Sequence, residues 1–169
     1  QGRVRVYASL GRADDTRPTL ERALAFGFRA FKLRSTGGLA DHLAVLRPAR
    51  AWVGDACDLM LDLNGTWEAE DAIATIGGLA EANLRWLEEP LPADAPADTW
   101  RRLADAAPMP LAGGENLVTP QMFDAALAQP ALRVLQPDLT KWGGLSGGLP
   151  LARRILAAGR RYCPHMFTG

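Results

Sequence analysis

With 169 residues, 48% of them apolar, the chain can bury one sizeable core. Lys plus Arg equals Asp plus Glu at 19 each, so no net field draws it to nucleic acid or to an anionic membrane surface. No apolar run has the length of a bilayer span, and no opening stretch reads as a signal peptide. Cys57 and Cys163 lie beside or within apolar strand-like runs and read as buried reduced thiols, which favours the cytoplasm. The basic pairs Arg153-Arg154 and Arg160-Arg161 read as a solvated helix face and its exit.

In chain order, residues 3–9 are rich in β-formers and read as a first strand. Residues 18–26 follow as a helix, with Thr16 as N-cap, Pro18 in the first turn and Gly27 as the stop. A second strand is expected over 28–34 and a helix over 39–53, kinked or restarted at Pro48. Strand three and its exit span 58–65, a helix 68–81, and strand four 84–90. The rhythm continues with a helix over 97–106, a strand over 110–116, a helix from Thr119 to Ala128 and a strand over 132–136. A helix over 147–158 with Gly159 at C′ and a seventh strand over 161–164 complete it. Strands alternating with helices of this length mean a parallel α/β sheet.

Six ionisable residues stand where successive strands give way to loops: Lys32, Asp62, Glu88, Glu115, Asp138 and His165, spaced 30, 26, 27, 23 and 27 residues apart. A βα unit of an eight-unit barrel takes about 30 residues, and barrel enzymes carry their chemistry on the C-terminal strand ends. A Rossmann-like sheet would concentrate it at one glycine-rich turn and one switch point. The spacing therefore predicts a TIM-type (β/α) barrel, with strands roughly 4.8 Å apart bringing these side chains to one mouth. Seven strands are legible and an eighth is not. Because an open sheet would leave two unpaired edges, the sequence is expected to be part of a longer protein.

Asp62, Glu88 and Glu115, on three successive strands, are the oxygen donor set of a hard divalent cation, Mg²⁺ with Mn²⁺ as a substitute. Taken singly, each is as readily a helix cap or a salt-bridge partner; their shared spacing favours the metal. Asp138 and His165 form a candidate general base, the carboxylate fixing the imidazole tautomer and stabilising its protonated form.

Six stretches in order carry a resemblance: Phe31-Lys32-Leu33-Arg34, Asp62-Leu63-Asn64, Trp86-Leu87-Glu88-Glu89-Pro90, Gly114-Glu115-Asn116, Pro137-Asp138 through Gly143-Gly144, and His165. Together the sequence resembles the enolase superfamily, and within it the mandelate racemase subgroup with its acid-sugar dehydratases. The resemblance implies a single partial C-terminal barrel domain over 1–169, with an eighth strand and an N-terminal capping domain outside it. It implies that Asp62, Glu88 and Glu115 bind Mg²⁺, that Asp138 and His165 are a catalytic dyad, and that Lys32 adds a cation beside the substrate carboxylate. The muconate-lactonizing subgroup would place a lysine where Asp138 stands; Lys141 is three residues later and does not match it.

One departure matters. Where the racemase pattern has a second base, a lysine, this sequence has Arg34, and a guanidinium with pKa above about 12 is a poor base. Dehydration of an acid sugar, needing one base and one acid, is therefore expected ahead of racemisation or epimerisation of an α-hydroxy acid, with a non-catalytic barrel fragment as the third reading. Arg34 is then expected to bind a substrate carboxylate or hydroxyl. Asn64 and Asn116 read either as substrate or ligand-orienting contacts or as turn residues; Lys141 reads as a substrate contact or a partner of a ligand carboxylate. Glu89 reads as a salt-bridge partner, His42 as a surface or packing histidine, and the tryptophans as core or mouth packing, with Trp67 and Trp142 near the active-site loops. The expected partner is a small carboxylate rather than nucleic acid or membrane, and superfamily resemblance implies a homo-oligomer.

Overall fold

The computed structural model describes residues 4–11 and 16–166. Seven parallel strands form one sheet in sequential order: β1 (Ala8–Ser9), β2 (Ala30–Arg34), β3 (Asp58–Asp62), β4 (Trp86–Glu88), β5 (Leu111–Gly113), β6 (Leu132–Leu135) and β7 (Arg161–Tyr162). The crossovers carry α1 (Thr16–Ala25), α2 (Leu39–Val53), α3 (Ala69–Thr75), α4 (Ala97–Ala106), α5 (Pro120–Ala128) and α6 (Gly144–Ala157). This is the sequential α/β barrel order expected from the spacing, present as a seven-stranded partial barrel.

Strand alternation sorts the residues into two layers. Phe31, Leu33, Leu59, Leu61, Leu87, Leu111 and Leu135 are fully buried in the large core between sheet and helices. The helices meet them with apolar stripes at helical spacing, such as Leu43, Leu46 and Ala49 on α2 and Gly148, Leu151 and Ile155 on α6. Each fully buried leucine contributes about 1.5–3 kcal/mol. The alternate residues Met60, Trp86, Ala112 and Val134 make a second, smaller cluster with Tyr7, Ala30 and Cys163. Two residues further along β3, β4 and β6 come Asp62, Glu88 and Gln136, so the apolar layer passes directly into a charged and polar one at the C-terminal strand ends.

Three strand exits bend through left-handed backbone: Asn64 (φ 47°), Glu89 (φ 39°) and Gly114 (φ 115°). For a residue with a Cβ this costs roughly 1–2 kcal/mol, and at Gly114 a Cβ would also stand 3.4 Å from the backbone nitrogen of Gln136. Arg50 ties the helix layer to the sheet by donating to the carbonyls of Gly54, Cys57, Ala82 and Asn83. Arg160 likewise donates to the carbonyls of Ala126, Leu127 and Leu132, so it is a staple rather than part of a solvated face.

Several boundaries differ from the sequence expectation. The first strand is only Ala8–Ser9 within the expected 3–9, residue 3 lying outside the described residues. Helix α1 starts at Thr16, two residues before the expected start at 18. The expected helix over 68–81 is α3 followed by a 3₁₀ segment, Ile76–Ala82, whose Gly77-Gly78 pair weakens α-helical propagation. Helix α6 starts at Gly144, three residues early, because Gly143 takes a left-handed turn (φ 72°) that lets the helix begin at once. Helix α2 runs through Pro48 without a break.

His42 is fully buried, the packing alternative of its sequence reading and not the surface one. Its Nε2 accepts from Trp67 Nε1 (3.0 Å) and its Nδ1 lies 2.9 Å from Ser35 Oγ, so the proton sits on Nδ1 and is donated to Ser35. This joins the loop after β2 to the loop after β3. Burial lowers the His42 pKa, so the unfolded chain takes up the proton first. The histidine's contribution is whole above the unfolded value, about 6.5, and is lost as pH falls below it. We expect His42→Leu to lower stability by about 1–3 kcal/mol at pH 8, and the gap to wild type to narrow at pH 5.5; urea unfolding of both at the two pH values measures this. A gap that stays constant or widens in acid contradicts the assignment.

Candidate active site

The parallel register places Arg34 beside Asp62 and Asp62 beside Glu88, and an isolated bridge sets Asp138 beside His165 beyond β6 and β7. The residues chosen from sequence therefore share one edge of the sheet.

Lys32 is the buried centre of one half. Its side chain is 2% exposed; its ammonium pairs with Glu88 Oε1 and lies 3.2 Å from Asp62 Oδ2, both carboxylates being buried. Burial disfavours the Lys32 ammonium, but the charges of Glu88 and Asp62 outweigh it and hold it above its ordinary range. Burial pushes the Glu88 carboxyl up against the pull of Lys32, and Asp62 adds to the rise. Glu88 Oε2 accepts from Gln136 Nε2 (2.6 Å) and Trp86 Nε1 (3.2 Å). Sequence alone assigns no role to Gln136 and only packing to Trp86. The available signal was position: Trp86 lies two residues before Glu88, on the same strand face, and Gln136 lies two before Asp138.

The dyad forms the other half. His165 Nδ1 is 2.8 Å from Asp138 Oδ2. Asp138 Oδ1 accepts from the Thr140 amide (2.7 Å), the Thr140 hydroxyl (2.6 Å) and the Lys141 amide (3.3 Å). Burial opposes its charge, yet the Thr140 and His165 side chains and the two amides hold its carboxyl well below the usual range. The far nitrogen, His165 Nε2, stands 3.2 Å from Glu115 Oε2, and Lys141 Nζ is 3.6 Å from Glu115 Oε1.

Arg34 Nε lies 3.3 Å from Asp62 Oδ2 with its side chain 42% exposed, which leaves its outer nitrogens at the mouth. Asn64 is exposed and its backbone amide donates to Asp62 Oδ1 (3.0 Å). Asn116 Nδ2 donates to both oxygens of Glu89 (3.1 and 3.2 Å) while its Oδ1 accepts from Lys141 Nζ (3.0 Å). Glu89 thus meets an amide, not the cation of a salt bridge; its carboxyl is pushed up to about 7, first by burial and then by Glu115. Trp67 is buried against His42, whereas Trp142 packs on Phe123, their ring centroids 5.1 Å apart.

By residue type, Asp62, Glu88 and Glu115 suit an oxygen-seeking divalent cation. Asp62 Oδ2 is buried and without hydrogen-bond geometry to either neighbouring cation, a lone pair left unspent. The expected convergence of three carboxylates is not the arrangement found, however. Among the described residues no three His, Cys, Asp or Glu side chains stand together as ligands. Like charges separate where other cations are at hand: Lys32 compensates Asp62 and Glu88, while Glu115 turns to His165 and Lys141.

The sequence profile of the family described as "Enolase C-terminal domain-like" matches residues 15–169. Among curated relatives, a D-galactarolactone cycloisomerase of Agrobacterium fabrum is 30% identical over 97% of this chain and 45% of its own length. A D-galactonate dehydratase of Ralstonia nicotianae is 32% identical over 99% and 46%. Among solved structures, a mandelate racemase/muconate lactonizing enzyme from Bordetella bronchiseptica superposes with a TM-score of 0.92 at 48% identity, over 97% of this chain and 45% of that one. An enolase from Bradyrhizobium, complexed with magnesium and mandelic acid, gives 0.89 at 33% identity, over 97% and 46%. The chain thus spans just under half the length of these proteins. With its strand order, its charged strand ends and this match over nearly its whole length, the chain belongs to the enolase superfamily, as a member of the Enolase C-terminal domain-like family.

Proposed function

We propose that the full-length protein removes the proton α to a carboxylate and then expels the β-hydroxyl as water, acting as an acid-sugar dehydratase. The observation that carries this reading is the Asp138–His165 pair, 2.8 Å apart at the mouth of the sheet. Asp138 holds the proton on Nδ1, which leaves Nε2 as the proton acceptor. Asp62, Glu88 and Glu115 would hold Mg²⁺, which when bound neutralises charge developing on the substrate carboxylate. Lys32 lies beside Asp62 and Glu88 and adds a fixed positive charge. Arg34, half-exposed, suits a substrate carboxylate or hydroxyl. The proton taken by His165 returns to the departing hydroxyl, so one imidazole serves as base and then acid.

A second reading has support in the cycloisomerase relative. If the leaving oxygen is tethered in a ring, the same proton abstraction opens the ring and isomerises the substrate without loss of water. Racemisation by two opposed bases is disfavoured by Arg34. The reading further takes a small carboxylate as partner in a cytoplasmic homo-oligomer. The equal charge count, the free thiols of Cys57 and Cys163, and the lack of any helix among the described residues long and apolar enough to cross a membrane are compatible with it.

The test incubates the full-length protein with Mg²⁺ in deuterated water and a pool of acid sugars and their lactones, followed by mass spectrometry, with His165→Asn as control. Loss of water from one component, abolished in the variant, is the expected result. Isomerisation or deuterium uptake without loss of water would overturn dehydration in favour of the second reading or of a racemase.

A further inference from the structure

Three side chains from three successive strand exits are joined in one line: Glu89 after β4, Asn116 after β5 and Lys141 after β6. The line has a direction. When ionised Glu89 only accepts, and both its oxygens face Asn116 Nδ2 at 3.1 and 3.2 Å, which turns the amide oxygen outward. An ammonium only donates, so Lys141 Nζ fits that oxygen, and from there it faces Glu115 Oε1 at 3.6 Å. Glu115 in turn faces His165 Nε2. Glu89 is an odd residue for its place: 5% exposed, in left-handed backbone at φ 39°. Non-glycine residues persist in that conformation where the surroundings over-determine them, commonly at functional sites. Of the nineteen Lys and Arg residues only Lys32 and Lys141 are lysines, and both are at this mouth. A flexible ammonium, unlike a planar guanidinium, needs a fixed acceptor to hold it in one place.

We propose that Glu89, acting through Asn116, is a positioning residue that holds the Lys141 ammonium against Glu115 and so fixes the position of that carboxylate at the mouth. Glu89 and Asn116 do not touch the reacting atoms in this role. The inference deepens the dehydratase reading and rests on it for its catalytic consequence, but not for its geometry.

The test is a polarity swap in the full-length protein. Glu89→Gln allows the Asn116 amide to turn over and present hydrogens to the ammonium. Asn116→Asp sets two acceptors against each other. The double variant restores direction, since the introduced glutamine amide then donates to the introduced aspartate, whose other oxygen accepts from Lys141. The first readout is the ¹³Cε order parameter of Lys141 in lysine-labelled protein, assigned with Lys141→Arg. It is expected to fall in each single variant and to return to the wild-type value in the double. The second is turnover: kcat three- to tenfold lower in the single variants, the order of one lost hydrogen bond, with KM within about twofold and rescue in the double. Asn116 and Lys141 are exposed, so Asn116→Asp and Lys141→Met leave the core intact; Lys141→Met should lower kcat as Glu89→Gln does. An order parameter unchanged in Asn116→Asp, or losses that simply add in the double, would overturn the proposal. A rescued order parameter in a protein that turns over no acid sugar would overturn the dehydratase reading and leave the positioning role standing.

Discussion

Replacing Lys32 by methionine is expected to destabilise the full-length protein by about 3–5 kcal/mol at neutral pH in the presence of a chelator. The substitution keeps most of the side-chain volume and removes only the charge. What remains is two carboxylates, Asp62 and Glu88, each 1% exposed, without the ammonium that lies between them. Arg34 still reaches Asp62, but its half-exposed side chain leaves Glu88 to Gln136 and Trp86, which are neutral. Two further outcomes follow from the same electrostatics. In the variant the Glu88 carboxyl rises further, so the unfolded state loses its proton first. The penalty is therefore largest above the ordinary carboxylate range and shrinks as pH falls toward it. Millimolar Mg²⁺ should restore more stability to Lys32→Met than to wild type, because the cation replaces the missing charge. Denaturant unfolding with chelator, with Mg²⁺ and at pH 4.5 measures all three. A cost below about 1 kcal/mol would mean that water, rather than Lys32, balances these carboxylates.

The barrel order was legible because its signal is repeated: seven apolar runs, six of them ending in an ionisable residue, at spacings of 23 to 30 residues. A local error in one run, such as the shortened first strand or the divided third helix, does not disturb that period. The site was legible to the extent that strand ends fix positions, and Asp62, Glu88, Asp138 and His165 are where the register requires. What sequence did not convey was direction. Three carboxylates at one edge satisfy a metal-ligand pattern, yet where each points depends on which cations compete for it, and Lys32 and Lys141 take them apart. Glu89 departs from the expected salt bridge for a related reason. Its partner across the sheet is a neutral amide, and nothing in Trp-Leu-Glu-Glu-Pro tells an ion pair from a buried acceptor. His42 lies on the inward stripe of α2 with Leu43 and Leu46, so its burial was open to reading, but its bond to Trp67, 25 residues further along the chain, was not.

Asp138→Asn is expected to lower kcat by about 10²–10⁴-fold, the usual range for a general base, while leaving the fold intact. The argument lies in the donors around the carboxylate. Oδ1 accepts three hydrogen bonds, from the Thr140 amide, the Thr140 hydroxyl and the Lys141 amide, and these donors do not move with the substitution. An asparagine placed there keeps its oxygen toward them and must turn its NH₂ toward His165. The imidazole, which held its proton on Nδ1 at 2.8 Å from Asp138 Oδ2, now faces a donor and accepts instead. Its proton moves to Nε2, the nitrogen that would take the substrate proton, and the base is lost by tautomer rather than by displacement. Two measurements check this in the full-length enzyme. Histidine ¹⁵N chemical shifts report the Nδ1-to-Nε2 transfer directly, without substrate. Turnover of the acid sugar identified with wild type reports the loss of rate, with KM changing little because Arg34 and the carboxylates remain. If the tautomer switches and the rate does not fall, His165 is not the base and the proton acceptor must be sought elsewhere at the mouth. If neither changes, the Thr140 and Lys141 donors do not orient residue 138, and the electrostatic account of the depressed Asp138 carboxyl fails with it.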